Sequence, residues 1–105
     1  MSLHSKILSL LSGVVGAENR LGVASTIIYL CNLYFDGKID DETFKRELRN
    51  IAFDVITATH PELLEEEARE EANRLADEIY KSARLEGLRR RILSTYGLRY
   101  MRGEL

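Results

Sequence analysis

The sequence predicts an all-α fold: a four-helix arrangement of two helical hairpins, closed by a long and kinked C-terminal helix. Three observations lead there. Apolar residues recur at three- and four-residue spacing along most of the 105-residue chain. The single proline, Pro61, and most of the glycines stand between the periodic stretches. No segment offers the alternation a sheet needs. The β-branched run Ser25-Thr26-Ile27-Ile28 would suit a strand, yet nothing elsewhere in the chain would pair with it.

The first helix is expected from about Leu3 to Val15, capped by Ser2 and ended by Gly13 and Gly16, with Leu3, Ile7, Leu8, Leu10, Leu11, Val14 and Val15 as its apolar face. The second runs from Ala17 to Phe35. Val23, Ala24, Ile27, Ile28, Leu30, Cys31, Leu33, Tyr34 and Phe35 leave it almost no polar side, which places it at the centre of the arrangement and buried all round. Three other helices barely enclose such an element, so a dimer or larger homo-oligomer is expected. The next junction is the best-defined feature. Gly37 suits the left-handed position after a helix, and Asp40 is a natural N-cap. Ile39 and Phe44 stand at the two positions of a hydrophobic staple. The third helix then spans about 40–58, with Phe44, Leu48, Ile51, Ala52 and Val55 turned inward.

Thr59-His60-Pro61 is the next break, and Pro61 suits the first position of a fourth helix reaching Tyr96. Its seam is Leu64, Ala68, Ala72, Leu75, Ile79 and Ala83. A second stripe, Leu85, Leu88, Ile92 and Tyr96, is rotated from the first, and Gly87 lies where they meet. A kink or break is therefore expected over residues 84–88. No repeat or linker divides the chain, so one domain covers residues 1–105.

Composition narrows the function. The net charge of −2 excludes a protein that is basic as a whole, but the charge is unevenly spread. Glu62 to Glu78 holds eight acids and two arginines, whereas Lys81 to Arg102 holds seven basic residues and only Glu86. The lone cysteine, Cys31, rules out a disulfide within the chain and favours a cytoplasmic protein. Many Glu and Arg residues, without Gln or Trp, give a thermophile-like composition. The longest charge-free stretch, Leu21 to Phe35, would span only about 22 Å as a helix, short of a bilayer, so no membrane partner is expected.

No catalytic set emerges. Cys31 has no histidine near it, no serine lies in a nucleophile elbow, and no glycine-rich phosphate loop occurs. His4 and His60 lack companions at ligand spacing. Residues 32–43 match a calcium loop at Gly37 and Ile39 but put Tyr34 and Thr43 where oxygen donors are required. Glu66-Glu67-Ala68-Arg69-Glu70 resembles the first half of the metal site of the all-α nucleotide pyrophosphohydrolases. That resemblance implies magnesium held by Glu66, Glu67 and Glu70 against a triphosphate; the family's Glu-x-x-Asp on a later helix is missing. The expectation is no cofactor and no metal.

The basic end is the remaining candidate. Arg84, Arg89, Arg90, Arg91, Arg99 and Arg102, with Tyr96 and Tyr100 interleaved, have the chemistry to grip phosphates and stack on bases. Residues 89, 90 and 91 point about 100° apart on a helix, however, and do not share one groove. They equally suit an acidic protein surface. The sequence is thus read as a non-enzymatic helical interaction or assembly protein that self-associates. Its alternatives are a nucleic-acid-binding accessory protein and a metal-dependent pyrophosphohydrolase-like protein.

Overall fold

The computed structural model describes residues 2–101, with side chains through residue 96. It contains four helices, α1 (Leu3–Leu11), α2 (Ala17–Phe35), α3 (Asp41–Thr59) and α4 (Glu65–Met101), and no strand among the described residues. Each helix packs against its chain neighbour, and α1 closes the ring against α4. The broadest contact is between α3 and α4, so α2 is a flanking helix and not the centre the sequence suggested. The molecule measures 60 × 27 × 17 Å. At about 1.5 Å per residue, the 37-residue α4 runs nearly the whole of that length.

Helix ends follow from local chemistry. The Ser2 side chain accepts from the Ser5 N–H and starts α1. The helix stops at Leu11, four residues earlier than periodicity implied. Ser12 turns its hydroxyl back onto the Ser9 carbonyl, and Arg20 of α2 donates to the Val15 and Ser12 carbonyls. A side chain from the next helix thus takes up carbonyls just beyond the end of α1 that have no helical partner. Gly37 has φ +73°, the left-handed conformation that ends α2. The Asp40 carboxylate accepts from the Thr43 N–H at 2.8 Å and starts α3.

The start of α4 also differs from expectation. Pro61 lies in the preceding turn, not in the helix, and Leu63 donates to the His60 carbonyl there. The Glu67 carboxylate reaches back to the Leu64 N–H at 3.1 Å, the acidic half of a capping box, and the helix begins at Glu65. Leu64, assigned to the seam by spacing, is exposed as a result.

The core is formed by Leu3, Ile7 and Leu11 of α1, Ala24, Ile27, Leu30 and Cys31 of α2, Phe44, Leu48, Ala52 and Ile56 of α3, and Ala68, Ala72, Leu75, Ala76, Ile79 and Ala83 of α4, with Val15 in the first loop. No side-chain nitrogen or oxygen among the described residues is buried without a partner. Burial pushes the Cys31 thiol up to about 12, which makes it an inert core group.

Of the kink or break expected over residues 84–88, a break does not occur: α4 is unbroken through Gly87. The glycine serves a packing role. A Cβ there would stand 3.2 Å from the Phe35 ring, so its absence lets the end of α2 close onto α4. The Arg90 guanidinium covers the same ring from 4.7 Å.

Candidate interaction surfaces

Within the chain only one side of α2 is buried, so the other three helices do not enclose it. The other side carries Leu21 and Tyr29, 63% and 66% exposed, with Gly22, Ser25, Thr26 and Asn32 between and beside them. Val23, Ile28 and Leu33 are half-buried at its margins. No charge interrupts this face from Leu21 to Phe35. Outward faces of surface helices ordinarily carry charged residues.

A second surface lies on α4. Leu85, Leu88, Ile92 and Tyr96 are 70%, 51%, 46% and 53% exposed. At about 100° per residue they lie some 140° around the helix from Ala72, Ile79 and Ala83, away from the bundle. Arg84 and Arg91 flank the stripe on one side. Arg89 flanks it on the other, across a shallow groove shared with Leu3 and Lys6 of α1. Followed toward the N-terminus, the same outward line bears Glu67, Glu70, Arg74, Glu78 and Lys81, all exposed.

The arginines are not a single array. Arg89 and Arg90 both pair with Glu86, at 3.1 and 3.3 Å, and the Glu86 side chain is only 15% exposed between them. Arg84 lies 3.8 Å from Asp41 and 3.4 Å from the Tyr80 hydroxyl. Arg91 makes no ion pair among the described residues. Tyr96 is exposed at the far end of the stripe. Arg99 and Tyr100 are on the helical backbone of α4, but their side chains, and Arg102 altogether, lie outside the described residues.

The acidic start of α4 forms local pairs: Arg69 with Glu65 at 3.0 Å and Arg74 with Glu71 at 2.7 Å. Glu66, Glu67 and Glu70 are exposed, and Glu67 is occupied as a cap. Among the described residues no group of three or more His, Cys, Asp or Glu side chains is placed to hold a metal ion. No helix among them is long and apolar enough to cross a membrane.

The sequence did not foretell a polar cluster where α2, α3 and α4 meet. Tyr34 and Tyr80 both donate to Asp41 Oδ1, and Lys45 pairs with Oδ2 at 3.1 Å. The two hydroxyls, Tyr80 foremost, hold the Asp41 carboxyl down to about 2. Its contribution is therefore complete above the ordinary carboxylate range, near 3.8, and is lost as pH falls toward 2. The melting temperature of the parent should drop between pH 4 and pH 2 by more than that of Asp41→Asn, which has no such carboxylate to protonate. Equal drops would show that other acids govern the acid limb. The only advance signal was the seven-residue separation of Tyr34 and Asp41 across a tight turn; Tyr80 is 39 residues further on.

Comparison of the chain with protein-family models, curated proteins and solved structures finds no match in any of the three. Function therefore rests on the surfaces themselves.

Proposed function

We propose that this is a non-enzymatic helical interaction protein that self-associates through the outward face of α2. One observation carries the reading: a face of about three turns, from Leu21 to Asn32, is exposed and yet has no charge. Two copies can meet there without like-charge repulsion. Gly22, Ser25 and Thr26 allow close approach of the backbones, and Leu21 and Tyr29 supply apolar contact on either side of that contact. A two-fold axis through Ser25 would present the same residues from both chains, as an isologous interface requires.

The alternatives draw less support. The acidic half of α4 continues the outward line of the arginines with Glu67, Glu70 and Glu78, which repels a polyanion laid along the helix. A hydrolytic metal site would need ligands beyond Glu66, Glu67 and Glu70, one of which is committed to a helix cap.

Sedimentation velocity across a dilution series tests the proposal. The parent is expected at twice its 12.0 kDa chain mass or more. Ser25→Arg, exposed and mid-helix, is expected to be monomeric with an unchanged circular dichroism spectrum. A parent that remains monomeric at every concentration, or a Ser25→Arg variant that assembles as the parent does, overturns it.

A further inference from the structure

The stripe on α4 differs in kind from the α2 face, and its rim is what distinguishes it. Leu85, Leu88, Ile92 and Tyr96 follow each other at three- and four-residue steps, the spacing of a helix-packing seam about 18 Å long. Cations stand on both flanks: Arg84 and Arg91 on one, Arg89 and Lys6 on the other, where Glu86, shared by Arg89 and Arg90, is the one acid in the groove. We infer that this stripe docks an amphipathic helix of another protein whose apolar seam is flanked by acidic residues.

The charges exclude the competing occupants in turn. A second copy packed antiparallel about Leu88 would bring Arg89 and Arg91 close to their own symmetry mates, and like charges so placed are costly. The acidic half of α4 cannot serve instead, because its outward line has Glu67, Glu70 and Glu78 where a seam needs apolar groups. An anionic membrane would also satisfy a basic-rimmed apolar stripe. A flat surface against α4, however, would meet that acidic line at the same time as the stripe. A nucleic-acid backbone has no use for three aliphatic side chains at the centre of its contact. A helix with acidic flanks satisfies both the seam and the rim within three turns, and need not extend over the acidic half.

The proposal is independent of self-association through α2, so Ser25→Arg should leave it intact. The probes are two fluorescein-labelled synthetic helical peptides with the same leucine seam, one flanked by glutamates and one by lysines. Fluorescence anisotropy should show saturable binding of the glutamate peptide, about tenfold or more tighter than the lysine peptide. Leu88→Glu should abolish that binding without altering the circular dichroism spectrum. Arg89→Glu with Arg91→Glu should invert the preference between the peptides, an outcome that mere exposure of leucines does not produce. Equal affinities for the two peptides, or no saturable binding of the glutamate peptide, overturns the proposal. So does binding to phosphatidylserine-containing vesicles that Leu88→Glu removes while the peptides are ignored, which would make the stripe a membrane contact. A loss of parent oligomer mass in Leu88→Glu would show instead that a second copy covers it.

Discussion

Phe44→Ala is expected to cost about 3–5 kcal/mol, the range for removing a fully buried aromatic side chain. Phe44 is completely inaccessible to solvent. Its ring stacks on Tyr34 at 4.2 Å and 10°, and meets Tyr80 at 5.9 Å. It therefore joins α2, α3 and α4 at one point. Truncation would leave a cavity and also release the two tyrosines whose hydroxyls bind Asp41. Domains of this size have roughly 5–15 kcal/mol in total, so the variant should be marginal or unfolded at room temperature. Urea denaturation followed by circular dichroism checks this. A midpoint within experimental error of the parent would mean that the α2–α3–α4 junction contributes little to stability.

Ala72→Leu is expected to be destabilising by about 1–3 kcal/mol through overpacking, although leucine is nearly as good a helix former as alanine. Ala68, Ala72, Ala76 and Ala83 are all buried on the side of α4 that faces the bundle. Small side chains there let α3 and α4 approach closely along their length, the broadest contact in the molecule. Three added carbon atoms have to be accommodated by separating the helices or by displacing the α3 side chains opposite. Thermal melting checks it: a lower melting temperature with native helicity is expected, whereas an unchanged or higher one would reveal a void beside Ala72.

Much of the architecture was legible because its causes are local. The bounds of α2, the left-handed Gly37, the Asp40 cap and the inward face of α3 each depend on residues within one or two turns. The misplaced ends show a limit of periodicity, which does not weigh side-chain hydrogen bonds to the backbone. Ser12 turns back onto the Ser9 carbonyl at the end of α1, Arg20 takes up the Val15 carbonyl beyond it, and Glu67 caps the Leu64 N–H where α4 starts after Pro61. Gly87 shows the same limit more sharply. In the sequence it is a helix-weakening residue at a change of stripe; in the fold it is the gap that admits Phe35.

The candidate surfaces divide in the same way. Periodicity had already separated Leu85, Leu88, Ile92 and Tyr96 from the seam of α4, and composition had marked α2 as lacking charge. Neither could say which apolar residues are covered, because coverage depends on where the other helices end. By itself the sequence determined that the chain is helical, where its strongest caps lie and which stripes are apolar, since these follow from hydrogen bonding and spacing along one segment. Only the tertiary structure decided that one face of α2 and the outward stripe of α4 remain open to solvent. Burial is a property of contacts between distant segments, and the short α1 and the long α4 leave those two faces without a neighbour among the described residues.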